Sequence, residues 1–120
     1  MTREQFLQEV EYELIAEQDE IPVRGNALAS GDETLDRQVE DDILARLDNG
    51  DIWAWASVKV TATWRGFEGH DYLGGCSYED EDDFVKRSGF YEDMKGEALR
   101  DLEAAIHAAS EAIQAYQPAR

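Results

Sequence analysis

From Ile52 to Trp64 the chain alternates with a period of two. Ile52, Ala54, Ala56, Val58, Val60, Ala62 and Trp64 occupy the even positions, and Trp53, Trp55, Ser57, Lys59, Thr61 and Thr63 the odd ones. Successive strand side chains point to opposite faces. The spacing therefore predicts one long strand whose buried face is lined mostly by small residues, open to close approach by a helix. The other face is polar except at Trp53 and Trp55. Arg65–Gly69 reads as a hairpin connection, and Gly74-Gly75 as a bulge or a close backbone approach in the return strand. A hairpin is expected over about 52–64 and 67–76.

Helical spacing flanks that hairpin. Thr2-Arg3-Glu4-Gln5 fits a capping box, and Phe6, Leu7, Val10 and Leu14 follow at helical intervals. This predicts a helix over about 3–18, ended ahead of Pro22. Ser30-Gly31-Asp32-Glu33 is a second capping box. It opens a helix over about 31–48, apolar at Leu35, Val39, Ile43, Leu44 and Leu47 and closed by Asn49-Gly50. A short helix is expected within 77–88, before Gly89. A long alanine-rich helix should run over about 91–116, with an apolar stripe at Met94, Ala98, Leu102, Ala105, Ile106, Ala109, Ile113 and Tyr116. The expected fold class is α+β: one domain, 1–120, with a small antiparallel sheet packed against helices.

Charge narrows the function. Twenty-eight Asp and Glu against eleven Lys and Arg give a net charge of -17 in 120 residues. Self-repulsion of that size destabilises a compact state. Direct nucleic-acid binding is disfavoured, because it needs a basic patch. No apolar run approaches the length of a membrane span. The N-terminus lacks the layout of a signal peptide. The single Cys76 excludes an intrachain disulfide and a cysteine-based zinc cluster. These features predict a protein of the cytoplasm, or of a host cell's cytoplasm.

Three groups of residues are candidates for function. Glu79, Asp80, Glu81, Asp82 and Asp83 form an acidic run that is either a solvated helix start or a partner-facing patch. An EF-hand would need Gly at the sixth position, where Phe84 stands, so neither a metal nor a cofactor is expected. Glu9, Glu13 and Glu17 lie four apart, as do Asp36 and Glu40. On a helix that spacing is about 6 Å, comparable with successive phosphates of a nucleic-acid strand. Trp53 and Trp55 share a strand face, and are either covered or an exposed interface anchor. His70, Cys76 and His107 form no recognisable catalytic set, and no catalytic residue is assigned.

Several segments carry a resemblance: Val23-Arg24-Gly25-Asn26-Ala27-Leu28-Ala29-Ser30-Gly31-Asp32, Gly50-Asp51-Ile52-Trp53-Ala54-Trp55, Trp64-Arg65-Gly66-Phe67-Glu68-Gly69 and Tyr72-Leu73-Gly74-Gly75-Cys76-Ser77-Tyr78. Together they resemble small acidic proteins of tailed phages and prophages, mostly without assigned function, over about residues 20–100. In size and charge the chain is also similar to anti-CRISPR proteins and DNA-mimicking restriction inhibitors. That second likeness involves no motif and transfers no functional residue. The resemblance implies a viral or mobile-element origin and no chemistry. Charge and size predict the function: a phage or mobile-element inhibitor of a host nucleic-acid-binding defence complex, whose basic surface its carboxylates would occupy. The alternative is a phage structural or assembly protein, homodimeric or larger, associating through Trp53, Trp55 or the final helix.

Overall fold

The structure is a computed structural model and describes residues 1–118. The alternating segment is its central strand from Ala56 onward; the expected start at Ile52 is not formed, because Ile52–Ala54 makes a 3₁₀ turn. β2 (Ala56–Trp64) lies between β1 (Glu11–Gln18) and β3 (Phe67–Cys76) in a three-stranded antiparallel sheet. Helices α1 (Arg3–Glu9), α2 (Glu33–Asp48), α3 (Glu81–Arg87) and α4 (Phe90–Ala115) complete an α+β fold. Ala56, Val58, Val60 and Ala62 are inaccessible to solvent, as the alternation requires, and Ala54 ahead of the strand is inaccessible too. Thr61 is a buried exception on the other face, where its hydroxyl lies 3.1 Å from His70 Nδ1. The hairpin turn is the two residues between the expected strands, Arg65 and Gly66. Arg65 and Gly66 both adopt positive φ (46° and 86°), the two-residue geometry whose twist suits a hairpin.

The N-terminal segment differs from the expected helix over 3–18. Thr2 caps α1 with both bonds of the capping box, but the helix ends at Glu9 and Val10 is already extended. Residues 11–18 are an edge strand instead. Two periodicities coexist here: Val10 and Leu14 fit a helix, while Val10, Tyr12, Leu14 and Ala16 fit a strand. The strand wins because it pairs with an otherwise open edge of β2. It also relieves the repulsion that a helix would impose on Glu9, Glu13 and Glu17. The sheet accordingly has three strands, not the two of a lone hairpin.

Contacts divide the chain into two compact units. One comprises 1–13, 60–71 and the residues from Glu92 onward. Here Phe6 packs edge-on against Trp64 at 5.3 Å, and Trp64 stacks on Phe67 at 6.3 Å. α4 buries Met94, Ala98 and Leu102. Its backbone lies directly against Gly69, where a Cβ would collide with Leu102 N and Ala98 O. Asp101 accepts the neighbouring His70 N–H at 2.8 Å.

The second unit comprises 14–59 and 72–91. Its core joins Val23, Ile43, Ala54 and Trp55, flanked by Ala27, Val39, Leu44 and Leu47. Phe84 of α3 is fully buried against Trp53 (5.6 Å) and Tyr78 (5.2 Å). Arg46 donates to Asp51 at 2.8 Å and to the Tyr78 carbonyl at 2.6 Å. α2 starts at Glu33, with Asp32 as its cap, two residues later than the Ser30 capping box implied.

Gly69→Ala should be the most damaging single-methyl change in the fold. The clash is with helix backbone, which cannot rotate away, so the loss should reach about 3 kcal/mol. Thermal or urea melts of the variant check this. A midpoint within error of the parent would refute the close contact.

Candidate functional site

The acidic run is divided between architecture and free surface. Asp80 is the N-cap of α3, its Oδ1 accepting the Asp83 N–H at 2.8 Å. Asp83 Oδ2 in turn accepts the Glu79 N–H at 3.0 Å, and Asp83 faces Arg87 at 3.6 Å. The two carboxylates thus tie down the start of the helix, where acids also favour the dipole. Asp82 reaches Lys86 at 3.8 Å across one exposed turn. Among the described residues, the carboxylates of Glu79 and Glu81 make no hydrogen bond or ion pair, and both residues are exposed.

The proposed phosphate-spaced stripe of Glu9, Glu13 and Glu17 is not formed. Glu9 ends α1, and its Oε1 accepts Trp64 Nε1 and Arg65 Nε, each at 3.1 Å. Glu13 and Glu17 stand on β1, where four residues span about 13 Å, twice the helical distance. They share the outward face of that strand with Glu11 and Ile15. The period-two spacing of Glu11 and Glu13 is the signal that would have found this arrangement.

Asp36 and Glu40 are inward acceptors. Asp36 takes both the Ser30 hydroxyl (2.6 Å) and the Ser30 N–H (3.1 Å). Glu40 is buried at 7% exposure and clamps the connector to α2. It accepts the Gly25 N–H at 2.7 Å and Arg24 Nη1 at 3.1 Å, while Arg24 also holds Asp41 at 2.5 Å. The Gly25 amide foremost, and then Arg24, hold the Glu40 carboxyl below its ordinary pKa. Burial alone would raise it.

Trp53 and Trp55 do not share a strand face. Ile52–Ala54 is a 3₁₀ turn, and Trp55 precedes β2. Trp55 is 4% exposed and donates its indole N–H to the Ile21 carbonyl at 2.8 Å. Trp53 is half-buried on Phe84. Both rings belong to the packing of α3 and the connector, so neither is an exposed anchor. A tryptophan pair two apart looks identical in sequence whether it enters a strand or a turn.

The nucleophile candidates are engaged elsewhere. Burial first, then the charge of Asp19, pushes the Cys76 thiol up to about 11, so it is protonated at neutral pH. His70 lies 3.4 Å from Glu68 and contacts Thr61. His107 faces Glu111 on exposed helix at 3.2 Å. Among the described residues no group of three or more His, Cys, Asp or Glu is placed to hold a metal ion. No described helix is long and apolar enough to cross a membrane.

Comparison with protein-family models, curated proteins and solved structures gave no match.

Glu40→Gln tests the clamp. The folded-state pKa of Glu40 is depressed, so its contribution is present above the unfolded glutamate value and is lost as pH falls through the folded one. The variant should melt below the parent at neutral pH. The gap should narrow once pH drops below about 4, the ordinary glutamate range. Parallel melts across pH read this directly, and a gap independent of pH would contradict it.

Proposed function

We propose that the chain is an inhibitor made by a phage or mobile element, of the anti-CRISPR type. It acts in the host cytoplasm on a nucleic-acid-binding defence complex by acidic mimicry of phosphates. One observation supports this reading most: a residue of carboxylates is left over once the fold's own needs are met. Glu79 and Glu81 at α3, with Glu33, Asp42 and Asp48 along α2, are exposed and, among the described residues, lack any hydrogen-bonding or ionic partner. All five belong to the unit of 14–59 and 72–91, where sixteen acidic residues face six basic ones, a net of -10.

Such a surface draws in a Lys- and Arg-rich face at long range and excludes DNA or RNA from it. The mechanism is steric and electrostatic and contains no chemical step. The chain itself does not bind nucleic acid, which carries the same sign of charge. Capture should be mutually exclusive with nucleic acid and should weaken with salt, since exposed charges act only within the screening length.

The double reversal Glu79→Lys, Glu81→Lys tests the reading while sparing Asp80 and Asp83, which cap α3. The fold should persist, and affinity for a host complex recovered by pull-down should fall roughly tenfold, the scale of two exposed charge pairs lost. A gel shift of complex, nucleic acid and chain gives the second readout. Stable co-migration of all three, or undiminished capture by the reversed chain, would sink the proposal.

A further inference from the structure

The buried stripe of α4 does not end where its burial ends. Met94, Ala98 and Leu102 are at most 3% exposed, and the same face runs on through Ala105, Ile106, Ala109 and Ile113 to Tyr116, the residue just past the helix end, whose N–H still bonds the Ala112 carbonyl. Ile113 is 73% exposed and Tyr116 69%. Ile106, Ala109, Ile113 and Tyr116 follow the 3-4-3 spacing of a helix-pairing seam, with small residues between the larger ones to allow close approach. Beside this seam an open groove of about 340 Å³ is lined by Phe67, Ile106, Ala109 and Ile113.

We infer that this half of α4 is where a second copy of the chain docks, helix against helix about a two-fold axis. Charge decides between occupants. Over residues 104–118 the only charged or titratable acid is Glu111, which His107 faces at 3.2 Å. At 100° per residue, both project away from the Ile113 and Tyr116 side. In a chain of net charge -17 this is a stretch on which two copies can meet without opposing carboxylates. A basic partner is drawn instead to the acidic surfaces and gains nothing from a neutral stripe. A single stripe that pairs with itself is what a two-fold interface requires. From Ile106 to Tyr116 the seam is only about 15 Å long. It covers less than the roughly 800 Å² per partner of a standard interface, so the dimer is weak and concentration-dependent.

Sedimentation equilibrium of the purified full chain tests this without any host component, so its outcome is separate from that of the inhibitor reading. Mass should rise from monomer toward dimer with chain concentration. It should rise further in about 0.5 M salt, where screening cuts the reach of charge to roughly 4 Å and relieves repulsion between copies. Ile113→Glu should weaken association at least tenfold with an unchanged circular dichroism spectrum, because that side chain is already in solvent. The Glu79→Lys, Glu81→Lys chain should dimerise no worse than the parent. A parent that stays monomeric at millimolar concentration in high salt would overturn the inference. So would an Ile113→Glu chain that associates like the parent, or growth into species larger than dimers.

Discussion

At the starts of α2 and α3, in the connector over 19–31 and at two points of β3, a carboxylate receives a backbone N–H. Asp32 takes the amides of Thr34 and Leu35 at the start of α2. Asp80 and Asp83 do the same for α3. Asp19 accepts from Ile21 and from Gly75, Glu40 from Gly25, Asp36 from Ser30, and Asp101 from His70. Unpaired amides in such places are costly, and bonds to an ionised acceptor are among the stronger ones. The connector over 19–31, the positive-φ residue Gly75 of β3 and the contact between β3 and α4 all depend on these acceptors.

The acids therefore fall into two populations. The first is structural and offsets part of its own repulsion by hydrogen bonding and by pairing with Arg3, Arg24, Arg46 and Arg65. The second is exposed and unengaged among the described residues, and the proposed function rests on it alone. Net charge, which counts both alike, overstates the surface available to a partner. Mutations chosen by sequence position would mix the two, as a triple reversal that includes Asp80 would remove a helix cap together with the charge being tested.

Legibility followed the strength of local punctuation. α4 and α2 were readable because their stripes are long and their ends are marked by Gly89 and Asn49-Gly50. The core face of β2 was readable from five alternating positions, Ala56 to Trp64, although the same alternation also ran back over the 3₁₀ turn at Ile52–Ala54. β1 was not, because Val10 and Leu14 satisfy both periods and only the open edge of β2 decides between them. Gly69 read as hairpin chemistry, since nothing local announces that a helix backbone crosses it. The roles of Asp36 and Glu40 were hidden for a related reason. Their donors, Ser30 and Gly25, lie in an irregular connector whose path depends on Val23 and Trp55. Of the candidate surface, the exposed part of the 79–83 run was visible, but its division into caps and free charge was not.

The edge strand β1 sets a limit on how copies of this chain can accumulate. An unpaired strand edge is a template that can recruit further strands without end. Here that edge carries Glu11, Glu13 and Glu17 on its outward face. Two such edges brought together would interleave like charges along their whole length. Growth by sheet extension from the β1 edge is thus opposed at its first step, whereas the inferred helix seam would be used up once two chains had met. Pairing through that seam would give closed pairs, while the carboxylates of β1 act against fibre growth from that edge.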